Sequence, residues 1–582
     1  MKKALTGIFL LIVVQISTAQ YYLRGEIKNE KGEPLSNVKI NLFSKGNYSY
    51  KSGSSGTFGI PVEVEADTIT LTLQGYEILK QVVNTRTYQS FILKWLPATA
   101  SLMKNKLSSK TKNLIKEQHS FFAANGESYS TLIENDFVKA QKYPETGFSL
   151  NVDRASYSNI RRFLNNNIIP PANAVRIEEM LNYFEYNNTP ENTSTTQFNY
   201  NYTTTNCPWN PANKLLFLQL DAPKLNLTNV PPSNLVFLID VSGSMDKPNR
   251  LPLLQTAFKM LVDNLRAIDT VSIVIYGGGV ARVLNPTGGD KKEEIKNVID
   301  SLTAAGDTPG EAAIQTAYAT AKSCFIKGGN NRVILATDGD FNVGVTSEKA
   351  LEELIAQQMQ SGIYLTCLGV GMGNYKDSKL EALAKKGNGN FAYIDNEYEA
   401  RKVLVTEFTK TLYAVANDAF LNISFNPEVV NEYRLLGFDN KRVAIEDSTS
   451  ELEGGEVGSA HSMIAIFELN TIASINETQL PLANAVLQYK LPESLQQIQV
   501  QFPLYLKPIP FDTIDKDLKF ATAVTMFGCL LKQSKHCKQY NFDDAYKLAL
   551  GSINTNDYAK QEFLQLLQKA NKLIGATKKK KN

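Results

Sequence analysis

Five oxygen-bearing side chains, in three separate stretches, have the types and spacing to hold a hard cation. Asp240-Val-Ser242-Gly-Ser244 follows directly on the apolar run that begins at Asn234. Thr308 lies in Gly306-Asp-Thr-Pro-Gly310, and Asp338 closes the run RVILATD ahead of Gly339. Carboxylates and hydroxyls, with water in the remaining places, suit Mg²⁺ foremost; Mn²⁺ and Ca²⁺ share the same oxygen preference and stay open. No cysteine or histidine accompanies them to favour zinc. Hydroxyls and waters bring no negative charge to a cation. An ion held mainly by them stays electrophilic and can take an acidic oxygen from a partner. A strand-end Asp also serves simply to cap the next helix, but capping explains neither the two serines nor the two distant stretches.

Other candidates are weaker. Gly277-Gly278-Gly279 looks like a phosphate cradle but lacks the Gly-Lys-Ser/Thr of a P-loop. Asp246, Asp307 and Asp340 read as solvated loop acids near the candidate ligands. His119, His461 and His536 are scattered without HExxH, which argues against a zinc hydrolase. His461 reads as a hydrogen-bonded structural residue, and Ser156 near Asp153 gives no Ser/His/Asp arrangement. No general base is evident beside the loop acids, so the expectation is a chain that is not an enzyme.

The elements around these residues must place them together. NLVFLID (Asn234–Asp240), VSIVIY (Val271–Tyr276) and RVILATD (Arg332–Asp338) are short, continuous apolar strands, as in parallel sheets buried on both faces. Leu254, Ala257, Phe258, Leu261, Val262 and Leu265 recur with helical period between the first two. Further helices are expected at KKEEIKNVIDSL, EAAIQTAYATAKSC, Glu348–Gln360 and Ser378–Lys386, strands at YLTCLGVG and FAYI, and a long closing helix over Asn396–Val415. This alternation predicts an α/β, doubly wound, Rossmann-like domain over residues 232–416. In such sheets ligands bind beyond the carboxyl ends of the strands, where Asp240 and Asp338 fall.

The 582 residues exceed one hydrophobic core, and at about 100–200 residues per domain three to four domains are expected, a multidomain α+β chain. Residues 1–19 read as a secretory signal, with Lys2 and Lys3, the apolar run Gly7–Val14 and the small residues Ser17-Thr18-Ala19. Residues 20–97 show partial period-two alternation between turn residues and read as a β-rich domain. Residues 98–136 read as a linker with one short helix near Leu114–Phe122. Residues 137–231 and 417–582 read as flanking regions of mixed β and α structure, the second β-rich and then helical. The net charge of +3 is concentrated at the ends, in Lys2, Lys3 and Lys578–Lys581, which argues against nucleic acid as a partner. No stretch is long and apolar enough for a transmembrane helix. The chain is expected to be exported, periplasmic or extracellular, with association to the cell envelope open.

The pattern DxSxS, then a distant Thr, then a distant Asp resembles the metal-ion-dependent adhesion site of the von Willebrand factor type A (vWA) family. By that resemblance Ser242, Ser244 and Thr308 would bind the metal directly, with Asp240 and Asp338 beside it or acting through water. Pro309 departs from the small polar residue often found there. The stretches FSLNVDRASYSNIRRFLNN…RIEEMLNYFEY, SFNPEVVNEYRLLGFDN…SAHSMIAIFEL and DLKFATAVTMFGCLLKQS resemble the flanks of this domain in an exported bacterial branch of the family. Gly32, Pro34, Leu35, Val38, Gly56 and Phe58 make residues 20–97 resemble a carboxypeptidase-regulatory-like β-sandwich. The resemblance implies an adhesion-type module that captures an Asp or Glu carboxylate of a partner protein. A structural envelope scaffold, its metal only stapling loops, and a metal-assisted hydrolase are the other readings.

Overall fold

In the computed structural model the described residues are 21–581, except 31, 47, 74–75, 95–126, 187–197, 226–229, 307–309, 340–347, 374, 409–412, 441–453, 473–479, 493–495 and 554–555. The signal-like residues 1–19 and the short helix expected near 114–122 lie outside them. The chain divides into two compact units, residues 1–104 and 105–582.

The first unit holds strands β1 (Tyr21–Asn29), β2 (Lys39–Leu42), β3 (Ser49–Lys51), β4 (Thr57–Val62), β5 (Ala66–Thr72), β6 (Leu79–Asn84) and β7 (Gln89–Leu93). They form a three-stranded sheet, β4-β1-β7, and a four-stranded sheet, β3-β2-β5-β6. Inward residues such as Leu23, Ile27, Ile40, Ile69 and Phe91 alternate with outward ones and fill one core.

The second unit has three layers of construction. Strands before and after the α/β domain combine into two sheets. The first takes β8 (Val138–Lys139), β10 (Asn199–Asn206) and β11 (Asn213–Asp221) from one side of it, and β19 (Val430–Leu436) and β21 (Ser462–Thr471) from the other, in the order β10-β11-β21-β19-β8. The second is β20 (Gly455–Gly458), β18 (Ala414–Phe425), β22 (Pro481–Lys490) and β23 (Gln497–Tyr505), with β9 (Glu145–Ser149) pairing β18. Phe148, Leu218, Leu421, Phe425 and Phe467 lie in the core between these sheets. On the other face of the first sheet pack helices α1 (Ala155–Asn165), α2 (Ile177–Leu181), and Lys516–Leu531, Phe542–Leu550 and Tyr558–Lys581. The expected linker is not free at its described end. Asn135 Nδ2 donates to the carbonyls of Leu435, Gly437 and Phe438, and Leu132 N to Asn173 Oδ1. At Leu132 and Asn135 the chain is tied to neighbouring loops by hydrogen bonds rather than left to solvent.

The central sheet runs β14 (Val280–Gly288), β13 (Thr270–Tyr276), β12 (Ser233–Asp240), β15 (Asn330–Thr337), β16 (Ile363–Val370) and β17 (Phe391–Ile394). All pairs are parallel except the β13–β14 edge. Every residue of β12 and β15 is buried, because helices cover both faces. α3 (Leu251–Asp263), α4 (Lys292–Asp300) and α8 (Glu397–Arg401) close one face; α5 (Gly310–Ser323), α6 (Glu348–Gln360) and α7 (Asp377–Lys386) close the other. The chain is thus a multidomain α+β protein around a doubly wound α/β sheet. The long closing helix expected over Asn396–Val415 is not formed. α8 passes at Lys402–Thr406 into a π-helical turn, with Glu407 N bonded to Lys402 O at 2.8 Å, and β18 begins at Ala414. The aromatic and β-branched residues Tyr413 and Val415 favour extended backbone, and sheet pairing takes Val415 out of the helical pattern. No helix among the described residues is long and apolar enough to cross a membrane.

Candidate metal centre

β12 pairs with β13 on one side and β15 on the other, so the chain order reverses at β12 and a crevice opens beyond its carboxyl end. Asp240 is the last residue of β12, and Asp338 follows the last residue of β15. Asp240 is fully buried, and Ser242 and Asp338 are nearly so, while Ser244 is half-buried and Gly243 exposed.

The Asp240 carboxylate is held from three sides. Its Oδ1 accepts from Ser242 N at 2.9 Å, and its Oδ2 accepts from Thr337 Oγ1 at 2.8 Å and Tyr276 Oη at 3.2 Å. Burial pushes its pKa up to about 6, against the pull of the Ser242 and Thr337 hydrogen bonds; the neighbouring Asp338 charge raises it too. Ser242 Oγ and Ser244 Oγ stand 3.2 Å apart. Two adjacent ligands of an octahedral cation with bonds of about 2.0–2.1 Å are separated by about 3 Å. The two hydroxyls therefore already have the spacing of neighbouring ligands. Arg250 completes this side: its Nη1 donates to Asp338 Oδ2 at 2.6 Å and to Ser244 O at 2.5 Å.

Backbone packing brings Ala305 and Gly306, which precede Thr308 in the chain, to the same rim. Gly243 N donates to Gly306 O at 3.0 Å, and Ala305 N to Val241 O at 2.7 Å. A Cβ on Gly306 would stand 2.3 Å from Gly278 N, and one on Gly277 2.6 Å from Val241 O. Gly277 and Gly306 are needed for close contact between loops, and Gly278 for its φ of +67°, which accounts for two of the three glycines of the run without a phosphate. Thr308, Asp307 and Asp340 lie outside the described residues; Asp246 is exposed. So Asp240, Ser242, Ser244 and Asp338 share one rim, and the described chain reaches Gly306, two residues before Thr308, beside it.

The donors fit a hard cation. Among the described residues no three His, Cys, Asp or Glu side chains gather as a ligand cluster, so the site rests on hydroxyls with carboxylates behind them. His461 Nε2 lies 3.1 Å from Leu150 O, away from this rim, and Ser156 Oγ donates to Ala174 O while accepting from Arg176 N. Arg250, Tyr276 and Thr337 escaped the sequence reading. Arg250 had a signal, because a cation just before a helix opposes the helix dipole unless an anion holds it.

Family models match most of the second unit. "von Willebrand factor" matches residues 123–217, "von Willebrand factor type A domain" 234–409, and "Uncharacterized protein YfbK, C-terminal" 410–573. The chain is 35% identical over 468 residues to the protein YfbK of Escherichia coli (strain K12), covering 76% of this chain and 80% of that one. It is 28% identical over 220 residues to inter-alpha-trypsin inhibitor heavy chain H2 of Mesocricetus auratus, 36% of this chain and 22% of that protein. Among solved structures, the von Willebrand factor type A protein from Catenulispora acidiphila matches at 14% identity with a TM-score of 0.40, covering 65% of this chain and 91% of that one. The chain belongs to the von Willebrand factor type A domain family, as a homologue of YfbK.

Proposed function

We propose that this chain is a protein-binding module of the adhesion type, in which Asp240, Ser242, Ser244, Thr308 and Asp338 hold a divalent cation, Mg²⁺ foremost. The observation that carries the reading is the pair of seryl hydroxyls, 3.2 Å apart at the switch point of the sheet. The charge balance supports it. Asp240 and Asp338 bring two negative charges, and Arg250 returns one positive charge. A divalent cation there keeps a net positive charge, which favours a carboxylate from outside. When bound, the cation supplies Lewis acidity toward an Asp or Glu oxygen of a partner protein. The residues of the chain orient the ligands and seal the crevice floor. That vWA domains mediate protein–protein interaction favours this reading.

In the same reading the chain is exported, and its first unit is a carboxypeptidase-regulatory-like sandwich that docks or stabilises. The partner is then a protein of the cell envelope or its surroundings. The test is a pull-down from the native envelope with the full chain and with Ser242→Ala/Ser244→Ala, each with Mg²⁺ and with EDTA. A partner retained by the unsubstituted chain with Mg²⁺, and lost in the other three arms, is the expected result. Equal recovery in all four arms would sink metal-bridged capture.

A further inference from the structure

The loop after β16, Gly371–Lys376, touches the metal side of the molecule and a segment that precedes the vWA domain. Toward the site, Arg250 Nη2 donates to Met372 O at 2.7 Å. Gly371 has φ +80°, and a Cβ there would stand 2.5 Å from Arg250 Nε, so the loop closes directly on the guanidinium. A Cβ on Gly339, beside Asp338, would stand 2.5 Å from Lys376 N. The loop therefore abuts both Arg250 and the Asp338 turn.

Away from the site, residues Glu127–Tyr129 lie along the same loop. Gly373 N donates to Glu127 Oε1 at 3.0 Å, and Ser128 N donates to Tyr375 O at 3.1 Å, with a β-bridge between Ser128 and Lys376. Glu127 is itself fixed. Arg162 Nη1 and Nη2 reach its two oxygens at 2.7 and 2.8 Å, and Tyr129 Oη donates to Oε2 at 2.8 Å. Glu127 and Arg162 are both 5% exposed, so this bidentate pair is shielded from solvent. One run of polar contacts leads from α1 through Glu127, the Gly371–Lys376 loop and Arg250 to Asp338.

We propose that Glu127–Tyr129 is a strap that sets the metal affinity of the site, with Glu127 a positioning residue that acts through Gly373 and Arg250 on Asp338. The proposal rests on the metal-site reading above. Binding linkage is reciprocal, so a strap that favours the metal is in turn stabilised by it.

Mn²⁺ titrations of the full chain, read by calorimetry, separate the two ideas. Ser242→Ala/Ser244→Ala must abolish binding; if it binds as the unsubstituted chain does, the metal site itself fails, and the strap with it. Glu127→Ala/Arg162→Met removes the acceptor for Gly373 N without leaving a lone buried charge, and its Mn²⁺ affinity is expected to fall about tenfold. Glu127→Gln breaks the charge pair yet keeps an oxygen for Gly373 N. It is expected to lose melting temperature but to hold affinity within about twofold, a split that a merely structural role would not give. Unchanged affinity in Glu127→Ala/Arg162→Met, with binding abolished in the serine variant, overturns the strap alone. Hydrogen exchange on the unsubstituted chain needs no variant: Mn²⁺ must slow amides of both 127–129 and 371–376, and an effect absent from 127–129 overturns the proposal.

Discussion

At the residue scale, the arrangement turns on how Asp240 stays charged in a buried crevice. Thr337 and Tyr276 both donate to its Oδ2, and Thr337 Oγ1 also accepts from Gly339 N at 3.2 Å. Thr337→Val keeps the shape and deletes the hydroxyl, leaving a buried carboxylate oxygen and a buried amide each short of one partner. The expected loss is about 1–3 kcal/mol in urea unfolding of the metal-free chain; a change within about 0.5 kcal/mol, the usual range of a neutral surface substitution, would show that Tyr276 alone satisfies Asp240 Oδ2. Asp240, Ser242, Ser244 and Asp338 stand out in the sequence as candidates because oxygen-bearing side chains at strand ends contrast with apolar runs, and the structure gathers them at one rim. Thr337 and Tyr276 do not stand out. Each is the final residue of its strand, and only the register, with Asp240 opposite Tyr276, brings the tyrosine to the carboxylate. Pairing register is a long-range property that no local spacing encodes.

At the element scale, the parallel strands were readable for the same reason that they are stable: β12 and β15 are apolar throughout because both faces are covered. The closing helix was misread because its turns answer to partners far along the chain. Arg161 of α1, fully buried, reaches Asp395 through Nε at 2.7 Å, Glu399 at 2.7 Å and Glu562 at 2.9 Å, and its Nη1 donates to Tyr183 Oη at 3.1 Å. One guanidinium thus joins α1, the start of α8 and the C-terminal helix. Three carboxylates converge on this guanidinium, with Lys402 nearby over the Tyr183 ring, so Arg161 is needed more than any single acid. Arg161→Leu is expected to cost about 3–5 kcal/mol in chemical unfolding, because it strands buried carboxylates. Adding Glu399→Gln should recover part of that loss, since it removes one of the stranded charges. A single-variant cost below about 1 kcal/mol, the size of an exposed ion pair, would mean that the cluster is solvated in solution.

At the scale of the whole molecule, the α/β domain interrupts a second body rather than standing between two. β11, before it, pairs with β21, after it, over nine residue pairs from Asn213–Asn470 to Asp221–Ser462. β9 pairs with β18 in the same way, across more than 270 positions of chain. The sequence showed β-rich stretches on both sides of the domain, but apolar alternation marks a strand without naming its neighbour. The interleaving therefore had to come from the structure. It makes a specific demand on truncation. A chain ended at Glu407 keeps every strand of the α/β sheet but loses β18 to β23, so β11 is left with an unpaired edge and the inward faces of β9, β10 and β11 have no opposing sheet. Leu216, Leu218 and Leu220, nearly fully buried in the whole chain, would then face water. At about 1.5–3 kcal/mol for each large apolar side chain exposed, these three alone forfeit about 4.5–9 kcal/mol, comparable to the whole net stability of about 5–15 kcal/mol of a domain. Residues 105–407 are expected to show the flanking segment before residue 230 cut rapidly by protease while the α/β sheet resists. Adding the separately expressed 413–582 piece should restore protection, because the missing strands are supplied in trans. Protection of that segment in 105–407 alone, equal to that in the full chain, would show that the strands before the α/β domain hold a fold without those after it.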